Sequence, residues 1–96
     1  MIVESAVLTI KPGKRPAFEV ALRSALPLIE ATPGFGALEV RPCIERPDCY
    51  LLLVTWQKLE DHTVGFRGSD QYQKWRAALH DFYEPFPTVL HYGEPI

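Results

Sequence analysis

Two periodicities divide the chain into predicted strands and helices. Four segments are rich in β-branched, aliphatic and aromatic residues, which favours strands. The predicted strands are residues 2–10, 35–44, 49–57 and 88–92. Between them, apolar side chains recur at helical spacing after Pro16 and again after Ser69, and a shorter helix is predicted over residues 59–66. This order predicts an α+β protein with the ferredoxin-like βαββαβ arrangement and a four-stranded antiparallel sheet.

The first predicted helix contains a proline within its apolar stripe. The stripe is formed by Phe18, Leu22, Ala25, Leu26 and Ile29. Pro27 should kink the axis, because it cannot bond to the carbonyl of Arg23. The stripe continues beyond Pro27, which predicts one kinked helix that ends at Thr32-Pro33-Gly34.

The first and third predicted strands are apolar on both faces. Residues 2, 4, 6, 8 and 10 share one face of the first strand, and Val3, Val7 and their neighbours share the other. In the βαββαβ arrangement the helices cover one face, and the second face is polar when the protein is a monomer. We therefore expect a homodimer in which a second copy covers the outer face. The alternative is that the chain's own C-terminal tail covers it.

Composition and charge narrow the class of protein further. The chain has 96 residues, of which 47% are apolar and 23% charged, so we expect a single folded domain over residues 1–96. A net charge of −2 gives no reason to expect nucleic acid or membrane as a partner. No apolar stretch approaches the roughly 20 residues that cross a bilayer. The N-terminus lacks the features of a signal peptide, which favours a cytoplasmic protein.

Motifs for common cofactors and metals are missing. The three histidines form no His-x-x-x-His pair, and the two cysteines lack a zinc-type spacing. Gly34-Phe35-Gly36 lacks the third glycine of a dinucleotide-binding loop and opens a strand rather than a helix. We therefore expect no metal and no cofactor, although the absence of a motif is weaker evidence against flavin than against the others.

Residues 62–83 combine many aromatic side chains with a few ionisable ones. This composition predicts an aromatic-lined pocket between the helices and the sheet, suited to a flat organic molecule. Its candidate walls are Trp56, Phe66, Tyr72 and Trp75. His62 borders the apolar stripe and could act as a general base, because an unperturbed imidazole titrates near neutral pH. The alternative is that the aromatic residues are ordinary core and His62 is a hydrogen-bonded structural residue.

Several short motifs resemble those of the antibiotic biosynthesis monooxygenase (ABM) family across the chain. The resembling segments are Val7-Leu8-Thr9-Ile10-Lys11-Pro12-Gly13, Thr32-Pro33-Gly34-Phe35, residues 50–56, and Pro87-Thr88-Val89, together with Leu59, His62, Phe66, Ser69 and Tyr72. The resemblance implies a homodimeric ferredoxin-like α/β barrel. It also implies oxidation of a small aromatic metabolite by O2 without metal or flavin, with His62 as base and Trp56, Phe66, Tyr72 and Trp75 as walls.

The resemblance leaves other reactions open. Haem-degrading relatives carry an Asn in the first strand and a Trp and a His on the later helix. Ser5 and Ala6 stand in the first strand here, and Phe66 and Arg76 replace the other two, which argues against haem degradation. Two alternatives are a non-catalytic protein that binds or detoxifies small aromatic ligands, and an acid–base isomerase or lyase on the same fold.

Overall fold

A four-stranded antiparallel sheet with two helices on one face forms the protein, as described by a computed structural model of residues 1–96. The strands are β1 (Ile2–Thr9), β2 (Phe35–Pro42), β3 (Cys49–Trp56) and β4 (Val89–Tyr92), and the helices are α1 (Arg15–Glu30) and α2 (Asp70–Leu79). A π-helical segment, Asp61–Phe66, precedes α2, and a short 3₁₀ turn, His80–Phe82, follows it. The spatial strand order is β2-β3-β1-β4. The predicted ferredoxin-like α+β fold is therefore confirmed.

The register between β1 and β3 separates the two faces of the sheet as the sequence predicts. Ala6 lies opposite Leu52 and Leu8 lies opposite Tyr50, and all four side chains are buried under the helices. On the other face, Val7 is 57% exposed, and Leu51 is 38% exposed. The C-terminal tail leaves this outer face open, so the alternative in which the tail covers it is wrong for the single chain.

Helix α1 continues through Pro27 as one element, as predicted. Phe18, Ala25 and Ile29 are its buried residues, and they pack toward the inner face of the sheet. Pro27 and Arg23, the residue whose carbonyl loses its partner, are both exposed, so the missing bond lies on the solvent side of the helix. Strand β2 ends at Pro42, two residues earlier than predicted, because the following residues form the turn in which Cys49 N donates to Arg46 O.

The segment before α2 is wound more loosely than the predicted short helix. In it, Arg67 N donates to His62 O at 3.1 Å, the i→i+5 bond of a π-helix. His62 and Phe66, four residues apart in this segment, both face inward and are buried. Helix α2 then begins with the predicted cap, in which the Ser69 hydroxyl accepts a bond from Tyr72 N at 3.1 Å. No helix in the molecule is both long and apolar enough to span a bilayer.

Candidate active site

A cavity of about 370 Å³ lies between the inner face of the sheet and the helical elements that follow β3. Ten of its fifteen lining residues are hydrophobic. The sheet contributes Glu4, Ala6, Leu52 and Val89, and the opposite wall comes from the π-helical segment, α2 and residues 80–87. This size and lining are typical of a site for a small organic molecule.

Three of the four aromatic residues predicted as walls line this cavity. Phe66 is the central one, and its ring centroid lies 5.3 Å from that of Tyr72 and 5.9 Å from that of Trp75. Both pairs are nearly perpendicular, which is a favourable edge-to-face arrangement for aromatic rings. The three aromatic side chains are therefore positioned by contacts with one another as well as by the core beneath them.

Trp56, the fourth predicted wall, lies behind the cavity and does not reach its surface. The residue is completely buried, because it stands at the end of β3 opposite Ile2 and Phe35. Its indole stacks on the His62 ring with centroids 5.4 Å apart and planes 15° apart. Its Nε1–H donates to Oε1 of Glu4 at 2.9 Å. Trp56 thus supports two polar residues of the cavity wall from behind.

His62 is buried in the wall, with only 4% of its surface exposed. Its Nδ1 lies 2.8 Å from Nε2 of His91, and its Nε2 lies 3.4 Å from Oε1 of Glu4. Burial, together with the smaller effects of the nearby charges of Arg67 and His91, lowers the pKa of His62 to about 3. The imidazole is therefore neutral at neutral pH.

Glu4 is the second buried polar residue of the wall, and only 5% of it is exposed. Burial raises the pKa of its carboxyl group, while the Trp56 bond and the charge of Arg67 act against this rise. Its Oε1 accepts the Trp56 bond, and its Oε2 takes part in no hydrogen bond. Because every fully buried polar side-chain atom has a partner, Oε2 is open to the cavity that Glu4 lines.

Other groups of the site also lie outside the sequence prediction. His91 of β4 stands directly opposite Glu4 of β1, and its pKa is lowered by burial and by Arg67. At the other end of the cavity, the His80 ring lies 5.0 Å from Phe86 and 5.7 Å from Tyr83 between centroids. Burial lowers the pKa of His80 and raises that of Tyr83. Arg67 is exposed at the cavity and forms no side-chain ion pair.

The sequence did contain one signal for the missed carboxylate. Glu4 is the single charged residue on an otherwise apolar face of β1. A charged residue is rarely buried on such a face unless it has a partner or a function, because burying an unpaired charge is costly. His91 could be found only from the pairing of β4 with β1. No group of three or more His, Cys, Asp and Glu side chains has the arrangement of a metal site.

The arrangement can hold a flat apolar molecule against an acid–base pair. The rings of Phe66, Tyr72 and Trp75 supply the contact surface, and Glu4 and His62 supply groups that accept or return a proton. Both of these groups have shifted pKa values, a property that is common at functional sites.

A family model and a curated relative match most or nearly all of the chain. The family model for "Antibiotic biosynthesis monooxygenase" matches residues 1–78. The uncharacterized protein YczJ of Bacillus subtilis (strain 168) is 51% identical over 94 residues, which are 98% of this chain and 99% of that protein.

Solved structures resemble the whole fold. One of a proposed antibiotic biosynthesis monooxygenase from Bordetella bronchiseptica has 30% identity and a TM-score of 0.93, over 99% of this chain and 97% of that one. SnoaB, a cofactor-independent oxygenase from Streptomyces nogalater, shares the fold with 12% identity and a TM-score of 0.85, over 99% of this chain and 93% of that one. The match of the family model over most of the chain and the similarity to the Bordetella protein show that this chain belongs to the antibiotic biosynthesis monooxygenase family.

Proposed function

We propose that the protein is a cofactor-independent monooxygenase that oxidises a small aromatic metabolite with O2. The observation that carries the proposal is the buried pair of Glu4 and His62 in the wall of an aromatic cavity. Membership of the family and the fold shared with SnoaB, a cofactor-independent oxygenase, support the same reaction class.

The proposed chemistry needs only proton removal, positioning and the exclusion of water. Once deprotonated, an electron-rich phenol or an acidic ring CH2 group can pass one electron to O2. The substrate radical and superoxide then combine to a peroxide. Loss of water turns the CH2 carbon into a carbonyl, so that one oxygen atom stays in the product and the other leaves as water. Holding the anion in a closed apolar site favours these steps over side reactions with solvent.

The sequence predicts His62 as the base, and in this proposal His62 takes part in removing the proton together with Glu4. Its imidazole is neutral and can take up a proton, but the lowered pKa makes it a weak base by itself, so the proposal pairs it with the carboxylate of Glu4. Phe66, Tyr72 and Trp75 would contact the substrate rings, and Trp56 would hold His62 in place by stacking on it. The proposed reaction uses no metal and no organic cofactor.

An isomerase or lyase is the second candidate function. It is favoured by the same pair, since Glu4 and His62 could remove a proton at one substrate atom and return it at another without O2. The two candidates differ in their requirement for O2, so strict anaerobiosis separates them.

We also propose that two chains associate through their outer sheet faces. The outer face carries four exposed apolar side chains. They are Val7 and Leu51, together with Leu90, which is 50% exposed, and Tyr92, which is 55% exposed. An exposed apolar surface spread over three neighbouring strands is typical of a surface that meets a partner. A cytoplasmic location stays a prediction from the sequence.

The test is oxygen consumption with a panel of polyphenols and anthrone-like compounds. A substrate should be converted only in the presence of O2, and product formed under ¹⁸O2 should carry one labelled oxygen atom. His62→Ala should abolish turnover while circular dichroism shows an intact fold. Val64→Ala, at an exposed position in the same π-helical segment, is the matched control and should keep full activity.

Two results would refute the monooxygenase. Turnover under strict anaerobiosis would select the isomerase or lyase. Saturable binding of aromatic compounds, with thermal stabilisation but no product by mass spectrometry, would identify a binding or detoxification protein. Unchanged turnover in His62→Ala would remove His62 from the reaction.

A further inference from the structure

Three ionisable groups form a line that leads from the cavity to the edge of the sheet. Glu4 lies on the inner strand β1, His62 lies next to it in the π-helical segment, and His91 lies on the edge strand β4. Glu4 Oε1 is 3.4 Å from His62 Nε2, and His62 Nδ1 is 2.8 Å from His91 Nε2. His91 is only half-buried, so the line ends where water can reach it.

Both ring nitrogens of His62 face other protein groups. Its Nδ1 is hydrogen-bonded to His91, and its Nε2 faces the carboxylate of Glu4. The Glu4 carboxylate, in contrast, uses Oε1 toward Trp56 and His62 and leaves Oε2 without a bond at the cavity. The atom best placed to meet a substrate proton is therefore Glu4 Oε2.

We propose that Glu4 is the catalytic residue that takes the substrate proton, and that His62 and His91 pass it to solvent. The proposal rests on the proposed function for the identity of the substrate, and it assigns the first proton acceptor within that reaction. His62 and His91 act through Glu4 and are positioning residues. Their role is to return Glu4 to its ionised form after each turnover.

The proton balance follows from the two tautomers of imidazole. With Glu4 ionised, His62 carries its proton on Nε2, facing the carboxylate, and its Nδ1 accepts the bond from His91 Nε2–H. When the substrate X–H bond breaks, the proton adds to Glu4 and the electron pair stays on the substrate. The two rings then exchange tautomers, so that His62 and His91 each carry their proton on Nδ1 and His62 Nε2 faces the protonated Glu4. The proton moves from Glu4 to His62 Nε2, while the proton on His62 Nδ1 passes to His91 Nε2 and the proton on His91 Nδ1 leaves to water. Glu4 is then ionised again and both rings carry their proton on Nε2, which is the starting state.

The surroundings of Glu4 keep the carboxylate able to change its charge. Burial between β1 and the helical elements makes the ionised form less favourable, whereas Arg67 and the Trp56 N–H group stabilise it. Tyr83, which lines the same cavity, stays protonated, because burial and the charge of Glu4 raise its pKa. These opposed influences suit a group that must gain and lose a proton in every cycle.

The first test needs no substrate. In protein labelled with ¹⁵N-histidine, the Nδ1 and Nε2 shifts of His62 are followed from about pH 5 to about pH 9 to read its tautomer. We expect the tautomers of His62 and His91 to change together as Glu4 ionises. This shared change should vanish in Glu4→Gln. Glu30→Gln, at an exposed carboxylate in α1, should leave it unchanged. His62 shifts that do not depend on Glu4 would overturn the relay.

The second test uses an aromatic substrate identified in the oxygen assay. Glu4→Gln should lower kcat by about 10²-fold or more, the usual contribution of a positioned acid–base group. His91→Gln should lower kcat less, with little change in KM, and should add a solvent isotope effect from slow proton release. Unchanged kcat in Glu4→Gln would overturn the role of Glu4. If no compound is oxidised but the histidine shifts follow Glu4, the relay stands and the monooxygenase proposal fails.

Discussion

His62 should make the free energy of unfolding fall as the pH drops below neutral, and His62→Asn should remove most of this pH dependence. Asparagine is chosen because its side-chain amide can still bond to His91 from the position of Nδ1, whereas it has no proton to gain. The substitution therefore changes the titration more than the packing. Its effect is measured as the difference in the free energy of unfolding between wild type and variant at two pH values.

The magnitude follows from the pKa of His62 in the two states. In the folded protein this pKa is about 3, against an ordinary value of 6.5. The folded state thus binds fewer protons than the unfolded state between these values, so stability is complete above pH 6.5 and falls as the pH drops toward 3. At about pH 4.5 the unfolded histidine is protonated and the folded one is neutral, which corresponds to a loss of about 3 kcal/mol.

The assay is urea denaturation at about pH 7.5 and about pH 4.5. Wild type should lose about 3 kcal/mol more than His62→Asn between the two conditions, because all other titrating groups are common to both proteins. Thr63→Ala, at a half-buried neighbour without a titratable group in the same segment, should shift stability equally at both pH values. Equal pH dependence in wild type and His62→Asn would show that His62 titrates normally in the folded state, and the buried neutral imidazole would be refuted.

Three further predictions concern the cap of α2, the glycine turns and the proposed dimer interface. Ser69→Ala removes the cap of α2 and should lower the free energy of unfolding by about 1 kcal/mol, read from the thermal midpoint. Gly34→Ala should be clearly more destabilising than Gly13→Ala, although both glycines have positive φ, because a Cβ at Gly34 would collide with Asp61 whereas the one at Gly13 meets nothing within 4 Å. Val7→Asp on the outer face should convert the proposed dimer to a folded monomer in sedimentation, and an unchanged mass would contradict that interface.

The fold could be predicted because its two periodicities are unambiguous. Alternation in β1 and β3 fixes which side chains turn toward the helices, and Ser69 marks the start of α2 by its capping chemistry. The π-helical winding of Asp61–Phe66 could not be predicted in the same way. A six-residue segment carries too few apolar positions to tell a period of 3.6 from a slightly longer one.

The candidate site was predictable only in part. Phe66, Tyr72 and Trp75 follow from helical spacing near one another in sequence, and His62 follows from its place beside Phe66. Glu4 and His91 are 87 positions apart and meet only because β4 pairs with β1. Pairing between distant strands depends on the whole sheet, so local patterns give little information about it.

Glu4 has a structural task that is separable from its charge, and this makes its substitutions informative. The indole N–H of Trp56 is completely buried and needs an acceptor, which Glu4 Oε1 provides. Glu4→Leu would leave that donor without a partner, at a cost of about 1–3 kcal/mol, so its loss of activity could come from the fold alone. Glu4→Gln keeps the acceptor and removes the buried carboxylate, whose burial is itself unfavourable. The glutamine variant should therefore be at least as stable as wild type at neutral pH, as measured by urea denaturation. Lost turnover in a protein of undiminished stability can then be ascribed to the missing carboxylate, whereas a large loss of stability would show that the charge itself holds the fold.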